Sequence, residues 1–256
     1  MVELNKNKIK MYTQDELTGM LFFDLETASE YANLEALEAA NPKMAKLWVK
    51  RCEYLRSRWP EDNAEKSDAE LYDDKAALVP EFNRIVCGSF GRLTWEGLTP
   101  SMIIKSYYGS DEKEILDGIE NIANKFTKYK MTGHNIKRFD VPVMCKRLLI
   151  NGYKLPKYLQ VHNLKPWEMP FIDTSDAWSF GAWQEGFASL ELIMTSLGLD
   201  SPKDDIRGEE VSGVFWKNQE YARIAKYCEK DVFALAQALL KMSGLNQLDG
   251  FESQIA

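Results

Sequence analysis

The sequence predicts an α/β fold in which helices flank a mixed β-sheet. Extended segments rich in β-branched and aromatic residues come first along the chain, and helical periodicity then alternates with short strands. This order is typical of a mixed sheet with helices packed on its faces. The 256 residues are enough for one domain with a substantial core. We therefore expect a single domain over residues 1–256.

Five strands are predicted from short apolar runs bounded by turn residues. They cover residues 19–25, 84–93, 103–108, 130–134 and 171–174. Gly97 and Pro100 separate the second strand from the third, which indicates an antiparallel meander with the first strand.

Helices are predicted where apolar residues recur every three or four positions. The main ones cover residues 111–128, 141–150, 190–197 and 220–242. Residues 27–82 are predicted as a helical insertion after the first strand, with a helix start at Asn41-Pro42 and an end at Pro60. The polar segment 243–256 is expected to be a loose tail.

Composition indicates an ordinary globular protein, with 45% hydrophobic and 28% charged residues. The polar N-terminus lacks a secretory apolar segment, so we expect a cytoplasmic protein with no membrane association. The four cysteines are widely spaced and are expected to be free thiols. The net charge of −7 argues against a general coating of nucleic acid.

Positive charge is nevertheless concentrated in one window. Between residues 124 and 165 there are ten basic residues and a single acid, Asp140. A positive surface beside an acidic site suits an enzyme that processes a polyanion. The alternative is a set of solvated helix and loop surfaces. The ten residues are Lys125, Lys128, Lys130, Lys137, Arg138, Lys146, Arg147, Lys154, Lys157 and Lys165.

Two acids, Asp24 and Glu26, interrupt the apolar first strand. Side chains alternate along a strand, so these two share a face and Leu25 points to the other. Two ionised carboxylates on one face repel each other and lose hydration, an arrangement that a divalent cation between them stabilises. The alternative is an edge strand whose acids face water.

Two later segments also carry candidate acids. Asp140 follows a strand and opens a helix, where the backbone dipole favours an anion; simple helix capping is the alternative. Tyr227 and Asp231 are four residues apart in the last long helix and so share one face. The alternative for this pair is a tyrosine at the core margin and an exposed aspartate.

Together and in this order, the three segments resemble the DEDD exonuclease superfamily, in its tyrosine subgroup. The first motif is matched by Phe23-Asp24-Leu25-Glu26-Thr27, the second by Asn135-x3-Phe139-Asp140 and the third by Tyr227-x3-Asp231. The histidine subgroup has His five residues before the last Asp, where this chain has Lys226. The sequence is similar to stand-alone relatives of the proofreading exonuclease domain of family B polymerases over about residues 18–27 and 83–242. The insertion lies outside this resemblance.

The resemblance implies a ribonuclease H-like fold and hydrolysis of phosphodiesters from a 3′ end with two divalent cations, Mg²⁺ or Mn²⁺. Asp24, Glu26, Asp140 and Asp231 would be the metal ligands, with Asp24 bridging the two ions. Tyr227 would orient the attacking water or the scissile phosphate, because a phenol with a pKa near ~10 is a poor base. The expected substrate is single-stranded DNA, with RNA as an alternative.

The resemblance also suggests residues that contact substrate. Leu25 and Phe139 would pack against the terminal base and sugar, although both suit a core position equally well. Thr27 is expected among the substrate contacts. Asn135 would contact the terminal nucleotide, or else only the start of a helix. Lys203 would touch backbone phosphate, with an ordinary surface lysine as the alternative.

Other chemistries fit the sequence poorly. Two histidines and scattered cysteines give no zinc spacing, and no nucleophile elbow or phosphate-binding loop is present. Trp178, Trp183 and Trp216 are candidates for stacking on bases, with packing as the default. The main alternative function is a non-catalytic nucleic-acid-binding or polymerase-accessory module on the same fold. A replication or repair partner could bind through the insertion.

Overall fold

The computed structural model describes residues 11–165, 167–182, 188–200 and 205–255. Within these residues the chain forms a six-stranded mixed sheet with the strand order β5-β4-β1-β2-β3-β6. The strands are Met20–Ser29 (β1), Asn83–Glu96 (β2), Thr99–Tyr108 (β3), Lys130–Gly133 (β4), Ile172–Asp173 (β5) and Glu252–Ile255 (β6). The predicted mixed α/β class is confirmed.

The strand count differs from the predicted five, because part of the expected loose tail is ordered. Residues Glu252–Ile255 pair in parallel with β3, starting at Ile103 opposite Glu252. Pairing with an existing edge strand satisfies the backbone groups of this polar segment without an apolar pattern of its own. Sequence periodicity therefore gave no signal for it.

Helices cover both faces of the sheet and form the insertion. Their bounds are Gln14–Thr18 (α1), Leu34–Ala40 (α2), Pro42–Arg58 (α3), Pro60–Asn63 (α4), Asp68–Lys75 (α5), Glu112–Lys125 (α6), Asp140–Ile150 (α7), Thr174–Ser179 (α8), Leu190–Ser196 (α9), Val211–Gly213 (α10) and Tyr221–Met242 (α11). A π-helical turn at Val214–Asn218 continues α10. Among the described residues, no helix combines the length and the apolar character that crossing a membrane requires.

Strand β1 lies at the centre of the sheet and divides its side chains between two cores. It pairs antiparallel with β2 and parallel with β4. Phe23 and Leu25 pack with α6 and α7 on one face, whereas Met20 and Phe22 pack with α11 on the other. The alternation continues to Asp24 and Glu26, so the two acids belong to the α11 face.

Helix α11 approaches the sheet closely because β2 has a glycine beneath it. A Cβ atom built on Gly91 would lie 2.8 Å from Cγ1 of Val232 and 2.3 Å from Cε of Met102. Any larger residue at position 91 would push α11 away from the sheet. The absence of a side chain at Gly91 thus sets the distance between the sheet and the polar residues of α11.

The insertion is a helical subdomain with its own apolar core. Asn41 caps α3 by accepting a hydrogen bond from the Met44 amide, as the Asn41-Pro42 signal predicts. Trp48 is fully buried and packs edge-on against Tyr72 and Phe82 at centroid distances of 5.2 and 5.0 Å. Helices α2 and α5 close this core around α3.

A buried ion cluster joins the insertion to the rest of the domain. Arg147 in α7 makes two hydrogen bonds to Glu112 at the start of α6 and a third to Glu30, just after β1. Glu112 also accepts hydrogen bonds from the Ile85 amide and from Asn151. A buried charge needs this degree of pairing to offset its lost hydration.

Replacing Arg147 with methionine should lower the free energy of unfolding by about 3 kcal/mol or more, because Glu112 is left buried without its counter-charge. Urea unfolding measures this change. The matched control is Lys146→Met, which removes a neighbouring charge whose pair with Glu81 is half exposed and should cost below about 1 kcal/mol. Equal losses in the two variants would contradict the assigned role of the cluster.

Candidate active site

Asp24 and Glu26 lie side by side on the face of β1 that α11 covers. One carboxylate oxygen from each and the Cys228 sulfur lie within 4.8 Å of one another. Glu26 is only 8% exposed and Asp24 is half-buried. The edge-strand alternative is therefore wrong, because β1 is central in the sheet and its acids face a helix.

Helix α11 contributes Tyr227, Cys228 and Asp231 to this cluster. The Cys228 thiol donates to the Asp24 carboxylate and to the Asp24 backbone carbonyl, both at 3.4 Å. The Tyr227 hydroxyl bonds the Asp231 carboxylate one turn along the same helix. The i and i+4 spacing thus places both residues beside β1.

Asp140 reaches the same region from the start of α7. Its carboxylate accepts a hydrogen bond of 3.2 Å from the Leu25 amide, between the two acids of β1. Asp140 is 4% exposed and is the first residue of its helix, as predicted. Its side chain is directed towards β1, so the residue does more than cap its own helix.

Asp173 holds the turn that carries Asp140 into place. Its carboxylate accepts hydrogen bonds from the backbone amides of Asn135, Lys137 and Ser175. The last of these hydrogen bonds caps α8. The same contacts fix residues 135–137 just ahead of Asp140.

The gathered carboxylates raise one another's pKa. Burial raises the pKa of Asp24 well above its usual range, and the charges of Asp231 and Asp140 raise it further. Burial and then the charges of Asp24 and Asp231 do the same for Glu26. Burial also raises the pKa of Asp140 to about 7, despite its hydrogen bond from the Leu25 amide.

Tyr227 experiences the same field. Burial raises its pKa, and the charges of Asp231, Glu26 and Asp24 raise it further. The phenol therefore stays protonated at neutral pH and acts as a hydrogen-bond donor. The four acids and the tyrosine therefore lie close enough to influence one another's charge, with Asp24 and Glu26 at the centre.

The donor set suits a hard divalent cation. Asp24, Glu26, Asp140 and Asp231 offer carboxylate oxygens, which Mg²⁺ and Mn²⁺ prefer. Burial and repulsion disfavour the ionised forms of Asp24, Glu26 and Asp140, and a bound cation would reverse both penalties. The Cys228 sulfur is a softer donor and already bonds to Asp24.

Two of the predicted substrate contacts have packed side chains. Leu25 is 4% exposed within the core beneath α6 and α7, on the face opposite to the acids. The Thr27 hydroxyl donates to the Ala77 carbonyl of the insertion at 2.8 Å. For Leu25, the core position that the sequence left open is the one observed.

As whole residues, Asn135 and Phe139 are more accessible to solvent than Leu25 and Thr27. Asn135 has a left-handed backbone with φ of 59°, and its side-chain oxygen makes no hydrogen bond within the described part of the chain. Phe139 is half-buried and immediately precedes Asp140. Lys203 lies outside the described residues.

Several residues of the basic window are engaged within the protein. Arg147 is buried in the ion cluster, and Lys137 and Lys146 pair with Asp176 and Glu81. Lys130 is the backbone partner of Met20 in the pairing of β4 with β1, at the start of β1 and before its two acids. Arg147 is therefore not part of the predicted positive surface, which stays a prediction for the rest of the window.

The tryptophan candidates contribute little here. The Trp216 indole donates to the Ser29 carbonyl, and Trp178 packs against the small core between α9 and α11. Trp183 lies outside the described residues. Packing therefore explains the two that are described.

Cys228 is the member of the cluster that sequence reasoning missed. It precedes Asp231 by three residues in a helix, so the two share a face. That spacing was a usable signal once Asp231 was chosen. Asp173, in contrast, bonds amides some 40 positions earlier, and no local pattern reveals such a contact.

Comparison with known families identifies one match. A family model described as a predicted 3′–5′ exonuclease related to the exonuclease domain of PolB matches residues 80–247. No curated protein matches the chain. The matched range includes Asp140, Tyr227 and Asp231 but begins after Asp24 and Glu26, from which the insertion separates it. Because the match covers more than half of the chain, the protein belongs to the family of predicted 3′–5′ exonucleases related to the PolB exonuclease domain.

Proposed function

We propose that this protein removes nucleoside monophosphates from the 3′ end of single-stranded DNA with the help of two divalent cations. One observation carries the proposal. Asp24 and Glu26, which lie outside the family-matched range, approach three residues inside it. A chain that had kept only the fold would have no reason to maintain this costly convergence of acids.

Asp24, Glu26, Asp140 and Asp231 are the proposed metal ligands. Asp24 is central to the set, because the charges of both Asp231 and Asp140 act on it. When bound, the cations would lower the pKa of a water molecule and stabilise the negative charge on the leaving oxygen. The protein's own task is to hold the carboxylates in place and to exclude excess water around them.

Tyr227 is proposed to orient the attacking water or the scissile phosphate. Its raised pKa favours a protonated hydroxyl that acts as a donor rather than as a base near neutral pH. The hydrogen bond to Asp231 fixes the ring beside the proposed metal ligands. Loss of this hydroxyl would affect alignment more than substrate affinity.

Asn135 and Phe139 are the proposed contacts to the terminal nucleotide. The side-chain oxygen of Asn135 is buried without a hydrogen bond in the described residues, so a contact to a sugar or base would come from the accessible part of this half-buried residue. Phe139 is half-buried and adjoins Asp140, so its ring can pack on the nucleotide. Leu25 and Thr27 have less support as contacts, because their side chains are engaged within the protein.

Asp24→Asn and Asp231→Asn should each reduce digestion of a 3′ end on the order of 100-fold or more, because each removes a charged ligand. End-labelled DNA and RNA oligonucleotides, with Mg²⁺, Mn²⁺ or EDTA, provide the assay. The proposal expects metal-dependent shortening from the 3′ end and faster digestion of DNA.

Asp176→Asn is the matched control, since Asp176 is an exposed acid that pairs with Lys137 and is not a proposed metal ligand. Its activity should equal that of the wild type. Undiminished digestion by Asp24→Asn would show that the site is misassigned. Binding without any digestion by the wild type would favour the non-catalytic module.

The raised pKa of Asp140 predicts that the metal-free protein loses stability as pH rises. The folded carboxyl keeps its proton up to about pH 7, whereas the unfolded one releases it near its ordinary value of 3.8. Between these values the folded state binds more protons, so the free energy of unfolding falls with increasing pH.

Urea unfolding in EDTA between pH 5 and 8 measures this effect. Asp140→Asn removes the titrating group and should show a shallower decline than the wild type. Asp176→Asn should follow the wild type. Parallel curves for the wild type and Asp140→Asn would contradict the assigned environment of Asp140.

A further inference from the structure

Helix α3 of the insertion concentrates positive charge within an acidic protein. Its 17 residues include six basic side chains and one acid, Glu53, whereas the whole chain carries a net charge of −7. Arg56 turns inward to bond Asp68. The other five basic side chains are exposed: Lys43, Lys46, Lys50, Arg51 and Arg58.

Large apolar side chains lie among these charges. Tyr54 is 49% exposed, Trp59 is 40% exposed and Leu47 is also exposed. The Arg51 guanidinium lies 5.0 Å from the centre of the Tyr54 ring, and that of Arg58 lies 5.4 Å from the Trp59 ring. A helix face that only needed solubility would have no use for exposed aromatic rings.

These side chains form one stripe along the helix. Positions 43, 47, 50, 54 and 58 recur at intervals of three or four, which places them on a common face. The opposite side carries Ala45, Trp48, Cys52 and Leu55, which are buried in the insertion. We call the exposed stripe, with the adjoining Lys46, Arg51 and Trp59, the α3 face.

The insertion that bears the α3 face is rooted next to the acid cluster. It begins where β1 ends at Ser29, three residues and about 10 Å beyond Glu26. It returns at Asn83, which pairs with Ser29. Near its end, Glu81 pairs with Lys146 of α7, the helix that begins with Asp140.

We propose that the α3 face binds the single strand of nucleic acid upstream of the 3′ end that enters the acid cluster. This inference rests on the proposed exonuclease function. Basic side chains would contact phosphates, and the rings of Tyr54 and Trp59 would stack on bases. The helix is about 25 Å long, which is enough for several nucleotides.

The chemistry favours nucleic acid over an acidic protein as the occupant. Charge complementarity alone would suit either partner, but flat exposed rings flanked by guanidinium groups match the faces of bases. Stacking of this kind tolerates any base sequence. It would let a processive nuclease hold a strand whose sequence changes as the 3′ end recedes.

The charge test uses the variant Lys43→Gln, Lys50→Gln, Arg58→Gln. Fluorescence anisotropy with a labelled oligothymidylate about 20 nucleotides long, in EDTA, reports binding without hydrolysis. Affinity should fall on the order of tenfold, and the slope of log affinity against log salt should decrease by about 2, because each lost phosphate contact removes ~0.7 from it.

The matched control is Lys113→Gln, Lys217→Gln, Lys241→Gln, which removes the same charge from exposed lysines outside both the basic window and the α3 face. This variant should bind as the wild type does. Equal losses in both triple variants would overturn the proposal, since they would reflect net charge rather than a binding face. Wild-type affinity in the α3 variant would also overturn it.

The aromatic test compares Tyr54→Ala with Tyr54→Phe. Loss of the ring should weaken oligonucleotide binding about fivefold or more, whereas the phenylalanine variant should bind normally. Equal binding by all three proteins would remove stacking from the proposal and so overturn it. Competition by polyglutamate as strong as that by unlabelled oligothymidylate would overturn it in favour of an acidic protein partner.

A short substrate separates this inference from the proposed function. The p-nitrophenyl ester of thymidine 5′-monophosphate has one nucleotide and no upstream strand to bind the α3 face, so the α3 variant should hydrolyse it at the wild-type rate. If the wild type digests DNA but the α3 variant binds it equally well, only the inference fails. If the wild type digests neither substrate, the proposed function fails, whatever the α3 variant binds.

Discussion

Repulsion among four carboxylates is the constraint on which this site depends. Asp24, Glu26, Asp140 and Asp231 come together from three separate elements, and burial already disfavours the ionised forms of the first three. Nothing in folding alone rewards such a meeting, because each acid would be better hydrated elsewhere. The arrangement becomes favourable once positive charge occupies the space between the acids, and this is why we assign cations to it.

The rest of the fold opposes that repulsion by fixing the elements that carry the acids. The Leu25 amide bonds Asp140 directly, so α7 is tied to β1 at the site itself. Asp173 fastens the preceding turn, and Gly91 lets α11 approach the sheet. The buried bonds of Arg147 to Glu112 hold the far end of α7. Contacts in several parts of the domain thus oppose the repulsion among the acids.

Most of the site could be predicted from the local spacing of residues. Features that depend on pairing between distant segments could not. The i and i+2 relation of Asp24 and Glu26 and the i and i+4 relation of Tyr227 and Asp231 follow from strand and helix geometry. Strand β6 and the burial of Arg147 depend on which distant segments pair. The α3 face needed the structure too, because only burial of Trp48 shows which side of the helix is exposed.

Isothermal titration calorimetry of Mn²⁺ binding to the metal-free wild type at neutral pH tests the central claim most directly. The account predicts saturable binding of two ions and the release of protons, because carboxyl groups with raised pKa must ionise to bind metal. Asp24→Asn should abolish binding of at least one ion, whereas Asp176→Asn should leave both. Absence of saturable binding, or identical titrations of the wild type and Asp24→Asn, would contradict the account.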